Sequence, residues 1–141
     1  MKDQSNDLNF KQLFPPKAAV TDNTAQVSSI IDMLGYNSCT LALDTGTLTD
    51  TDATFAMTLE VGDDPALADT AAPPATDLIG TLALASFQFD TDNMCRKIGY
   101  IGGKRYIRAT VTPSNNTGNL FLAGIAVLGN PKNAPTSNPP V

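Results

Sequence analysis

The chain has 141 residues, 42% of them hydrophobic, with no Trp, which is enough for one domain around an aliphatic core. Nine Lys and Arg against fourteen Asp and Glu leave a net charge of −5, which argues against a general nucleic-acid binder. With no His, the Ser-His-Asp and Cys-His nucleophile systems and nearly all zinc sites are excluded.

In chain order, residues 1–17 are polar and aperiodic apart from Phe10, Leu13 and Phe14, and they read as an N-terminal arm. The opening stretch has no apolar run of the kind a secretory signal needs, and no segment approaches a membrane span. Strand signals then recur through a body spanning 18–129. They cover Ala25–Met33, Ser38–Thr45 and Ala53–Val61; a long connection, Gly62–Asp77, is followed by Leu78–Phe89 with a bend at Gly80. The runs Met94–Ile101 and Lys104–Thr112 flank Gly102-Gly103, which predicts a tight hairpin. Leu120–Gly129 is almost continuously apolar and predicts a central strand. Residues 130–141 carry four prolines and read as an extended tail. Nearly all the acids are Asp, a turn and cap residue, and there are ten Gly and ten Pro. The expected fold is an all-β antiparallel sandwich, jelly-roll-like, with extended N- and C-terminal arms. Cys39 and Cys95 are expected to be reduced and buried.

Three features invite chemistry. "LALDTGT" (Leu41–Thr47) resembles the active-site turn of retroviral-type aspartic proteases, with Asp44 as the carboxylate. Nearly sixty residues separate it from the flap-like "IGYIGG", where that family has a short path. The Asp-rich stretches Asp44–Asp52 and Asp90–Asp92 offer oxygens to calcium, but Phe55 stands where an EF-hand loop needs its twelfth-position Glu. Five of the nine cations, Arg96, Lys97, Lys104, Arg105 and Arg108, fall within thirteen positions, while eleven of the fourteen acids lie between Asp32 and Asp92. This polarity suits three roles: binding a single strand of nucleic acid with Tyr100 and Tyr106 as stacking platforms, docking onto an acidic protein surface or a second copy, or keeping an exposed edge soluble.

The runs "IDMLGYNS", "GTLTDTDATF", "KIGYIGGKRYIR" and "TPSNNTG" are similar to small head-module proteins of tailed bacteriophages and prophages, over about Val27 to Thr136. The resemblance implies a virion structural protein, most plainly a decoration or cement protein on the capsid surface, made in the bacterial host cytoplasm. It implies the major capsid protein as partner, a dimer or trimer of the chain, no cofactor, no metal, no nucleic acid, no membrane and no enzymatic role. The docking residues expected on this reading are Arg96, Lys97, Tyr100, Lys104, Arg105, Tyr106 and Arg108, with Phe10, Leu13 and Phe14 from the arm. Alternatives are a head-tail connector, tail-completion or head-fibre protein and, from another class, a protease built on Asp44.

Overall fold

A side-chain period of two decides which side of each strand is buried. In β4 (Tyr36–Leu48) Cys39, Leu41 and Leu43 point inward, and in β5 (Thr54–Gly62) Phe55, Met57, Leu59 and Val61 do so. The computed structural model describes residues 3–140. The other strands are β1 (Asn9–Phe14), β2 (Gln26–Val27), β3 (Ile31–Asp32), β6 (Leu78–Ile79), β7 (Phe87–Gln88), β8 (Cys95–Tyr100), β9 (Tyr106–Ser114) and β10 (Leu120–Pro131). They form two antiparallel sheets packed as a sandwich. One is five-stranded, in the order β1-β10-β4-β8-β6; the other runs β2-β9-β5-β7, with β3 also paired to β9. The core between them is aliphatic, with Phe55 stacked on Phe87 at 4.8 Å.

The expected antiparallel sandwich is the fold observed, and several local expectations are corrected within it. Gly102-Gly103 does not close a hairpin. β8 pairs with β4 and β6 in one sheet while β9 pairs with β5, β2 and β3 in the other, so the two glycines carry the chain across the sandwich. Neither needs a left-handed backbone; Gly102 is required because a Cβ there would lie 2.5 Å from the Tyr100 hydroxyl and collide with the Asp77 carboxylate. A glycine pair reports close approach as readily as a turn, and local pattern cannot tell the two apart.

The Leu78–Phe89 run is likewise not one strand. Gly80, at φ +97°, bends the chain after β6, and Thr81 then caps a single helical turn, α1 (Leu82–Ala85), its hydroxyl accepting from the Leu84 N–H at 3.2 Å. This turn closes the side of the sandwich between β8 and β5. Residues 25–33 split into β2 and β3 around Ser28, whose backbone N–H donates to Ala109 O while its hydroxyl accepts from Ala109 N–H.

Both termini differ from the expected free arms. Asn9–Phe14 is the edge strand β1, paired with β10, and a register shift between Gln12 and Phe14 lets Leu13 and Phe14 both enter the core. The tail is tied back on the other terminus: Thr136 donates from its N–H to Asn6 O at 2.8 Å and from its hydroxyl to Leu8 O at 2.6 Å. Polar composition hid β1 because an edge strand needs only one apolar face and a few anchors.

Candidate functional site

The outer face of the five-stranded sheet is assembled by register. Gln12, Ile125, Ala42 and Lys97 form one row across β1, β10, β4 and β8. Phe10, Val127, Thr40, Gly99 and Ile79 form the next row in one direction; Ala123, Asp44 and Cys95 form the next in the other. Ala42, Ala123, Cys95 and Gly99 are its small residues, and Phe10, Phe121 and Ile79 stand at its margins with Ile125 nearer the middle. Phe121 folds over Gly46, with its Cβ 2.9 Å from where a Gly46 Cβ would be, and Ile79 folds over Gly99 in the same way. Phe10 (43% exposed), Phe121 (40%), Ile125 (45%) and Ile79 (60%) make this face apolar and solvent-facing.

The outer face of the second sheet is of another kind. Thr54, Ala56 and Thr58 on β5 stand beside Ser114, Thr112 and Thr110 on β9, and the ladder ends in Glu60 beside Arg108. Arg108 Nε and Nη2 both donate to Glu60 Oε2, at 2.8 and 2.7 Å.

The sequence-derived docking residues are dispersed. Tyr100 (1% exposed), Tyr106, Leu13 and Phe14 are buried and offer nothing to a partner, which corrects their place in that set; inward alternation and the β1 register shift put them in or beside the core. Tyr100 still has a polar task, since its hydroxyl accepts from the Lys104 N–H at 3.1 Å. The cations do not form one basic patch. Lys104 pairs with Asp63 at 2.6 Å, Arg105 grips Asp32 through Nε and Nη2 at 2.8 and 2.7 Å, and Arg108 takes Glu60. Arg105 also lies over the Tyr106 ring. Arg96 turns inward opposite Leu43, and its Nη1 donates to Leu84 O at 3.0 Å at the end of α1. Lys97 projects onto the apolar outer face, and Phe10 lies there too. The chain's charge polarity in sequence is thus cancelled in space: acids from distant segments meet the cations of 104–108.

Those pairs set the local titration. The Arg105 guanidinium hydrogen-bonded to Asp32 holds that carboxyl below its ordinary value, and the Lys104 ammonium does the same to Asp63. Burial pushes the Cys39 thiol up to about 12, so it stays protonated and inert. Cys95 is exposed, contrary to expectation, because it falls on the outer side of β8; its thiol, 3.5 Å from Asp44 Oδ1, is raised by that carboxylate.

Asp44-Thr45-Gly46 lies inside β4 rather than in a turn, with Asp44 paired to Cys95 and Ala123 on the outer face. Of the other candidate acids, Asp50 and Asp92 cap backbone. Asp50 accepts from the Thr117 N–H and hydroxyl at 2.6 and 2.8 Å, and Asp92 from the Leu48 N–H at 2.9 Å. Among the described residues, no three acidic or thiol side chains gather as a metal site.

Sequence reasoning missed the apolar sheet face. Its signal lay in Leu120–Gly129, where both parities are apolar although only Leu120, Leu122, Gly124, Ala126 and Leu128 turn inward.

No protein-family model matches the chain, and no curated protein matches it. Among solved structures it is similar to the SPBc2 prophage-derived protein YomS, at 14% identity and a TM-score of 0.48, covering 86% of this chain and 93% of that one. It is also similar to a chain of the capsid of Ralstonia phage GP4, at 12% identity and a TM-score of 0.44 over 91% and 86% of the two chains. A third likeness is to the CBM22-1 xylan-binding domain from Paenibacillus barcinonensis Xyn10C, at 9% identity and a TM-score of 0.45 over 86% and 85%. With all three scores below 0.5, the fold assignment rests on the strand pairing itself.

Proposed function

We propose that this protein is a structural component of a tailed-phage virion, a decoration or cement protein that binds the outer surface of the head and stabilises it. The observation that carries this is the apolar, solvent-facing outer face of the β1-β10-β4-β8-β6 sheet. Contiguous apolar surface left exposed on a small domain marks association. The sequence resemblance over Val27–Thr136 supplies the setting, a phage head, and the major capsid protein as partner. A role of this kind works through surface and copy number: many weak contacts on one lattice add by avidity, and neither cofactor nor reaction is needed. Lys104, Arg105 and Arg108 are each paired with an acid, which offsets the positive charge of that stretch.

Purified particles carrying this protein provide the test, by mass-spectrometric quantification against the major shell protein. Hundreds of copies in a simple ratio to the shell protein are expected. A count of about six to twelve overturns the decoration role in favour of a connector or tail component. Absence from particles overturns the virion role altogether and returns attention to a peptidase assay with Asp44→Asn as its control.

A further inference from the structure

We infer that the outer face of the five-stranded sheet is the interface of a two-fold symmetric homodimer, packed face to face on the same face of a second copy. This rests on reading that face as an association surface, and it assigns the face to a second copy, so that a shell would meet the remaining surface of the dimer.

The argument is the arrangement of charge and bulk. In its central rows the face carries Asp44 and Lys97, opposite in sign and outside the three ion pairs of the described residues. They occupy diagonal corners of one cell of the strand lattice, because Asp44 stands opposite Cys95 and Lys97 opposite Ala42. A two-fold axis lying in the interface, at right angles to that diagonal, sets Asp44 of each copy against Lys97 of the other. Strands lie about 4.8 Å apart and same-face residues about 6.7 Å apart along a strand. Phe121, folded over Gly46 at the β10 register shift, and Ile79, folded over Gly99, stand at opposite corners of the face, and the same axis exchanges those corners between the two copies.

One operation therefore matches both charges and both bulky corners, which is the self-complementarity an isologous interface requires. The axis passes close to Cys95, Ala42 and Ile125, each of which meets its own counterpart. Strands of the two copies cross at roughly 70°, nearer to orthogonal than to aligned sheet packing. Small Ala42 and Cys95 sit where the sheets approach most closely, and Phe121 and Ile79 stand where they splay. A partner of one charge sign would satisfy Asp44 or Lys97 and strand the other; a second copy satisfies both.

Sedimentation equilibrium on the full chain tests this. Wild type is expected to be a dimer. Asp44→Lys and Lys97→Asp, taken singly, should each weaken it roughly tenfold or more, since each places like charges across the axis twice. An equimolar mixture of the two variants should associate again as a heterodimer, because both contacts then join opposite charges. Cys95 should be shielded from N-ethylmaleimide in the wild-type dimer and react freely in Lys97→Asp, with Cys95→Ser as the unreactive control. Ile125→Asp should give a monomer whose melting stays cooperative. A wild type that remains monomeric up to roughly millimolar concentration overturns the proposal, as does a mixture no better associated than its components. Copy number on particles is independent of this result: a dimer absent from virions keeps the interface and loses the virion role, and a monomer present in hundreds of copies does the reverse.

Discussion

The two outer faces of the sandwich cover the same core from opposite sides, and their chemistry is opposite. On the β5–β9 face every second residue is Thr, Ser or Ala, and the single charged rung, Glu60 with Arg108, is closed on itself. On the β10–β4–β8 face the corresponding positions are Ile125, Ala42, Ala123 and Cys95, and its two charges, Asp44 and Lys97, form no ion pair among the described residues. Threonine satisfies the pleat and water together, so a threonine face is complete as it stands. An aliphatic face exposes the same pleat without a solvent partner, the kind of surface that marks association.

The largest expected effect sets inside against outside. Val111 and Thr112 are neighbours on β9, one fully buried and one exposed. Val111→Asp should abolish cooperative unfolding, because a carboxylate would enter an apolar core unpaired. Thr112→Asp should shift stability by about 0.5 kcal/mol or less. Thermal melts by circular dichroism read both, and a folded Val111→Asp protein would refute the strand facing.

Next comes the edge that joins the faces. Leu13→Ala on β1 should cost about 2–5 kcal/mol in urea unfolding, as a fully buried leucine is truncated, whereas Phe10→Ala three residues earlier should cost about 1 kcal/mol or less and act on association instead. Equal effects would return residues 9–14 to the status of an arm. Gly102→Ala, at the crossover between the sheets, should lose about 1–3 kcal/mol, because the new methyl meets the Tyr100 hydroxyl and the Asp77 carboxylate.

The smallest effects belong to the charges. Replacing Glu60 by Gln on the threonine face should change stability by about 1 kcal/mol or less, since the pair is partly solvated. Asp32 and Asp63 have folded-state pKa values below their unfolded ones, so their contribution is present above the unfolded value and disappears as pH falls through the folded one. Stability should therefore decline below about pH 4, and Asp32→Asn with Asp63→Asn should flatten that part of the profile. An unchanged acid limb would mean that other carboxylates dominate it.

Alternation alone made the body legible. The inward positions of β4, β5 and β9 follow from a period of two in their residues, and the sandwich follows from many such strands separated by Asp, Gly and Pro. Residues with two physical uses were not legible. Gly102-Gly103 fits a turn and a crossover equally, Leu82–Ala85 pack in a strand or a helical turn, and Tyr100 and Tyr106 read as platforms until the sheets close over them. The candidate site was the least visible part. Asp44 drew attention through the motif around it, and Lys97 through the cations beside it, yet their shared significance is that β4 and β8 are neighbours in one sheet.

By itself, the sequence determined composition, strand period and turn chemistry, and with them an antiparallel sandwich over an aliphatic core. Those properties act between residues close in the chain. Only the tertiary structure decided which strands adjoin, and so which charges meet: Asp32 with Arg105, Asp63 with Lys104 and Glu60 with Arg108 are separated by 73, 41 and 48 positions. Pairing at such distances follows from sheet topology, and it set an acid against each of Lys104, Arg105 and Arg108 and left the aliphatic face as the open surface.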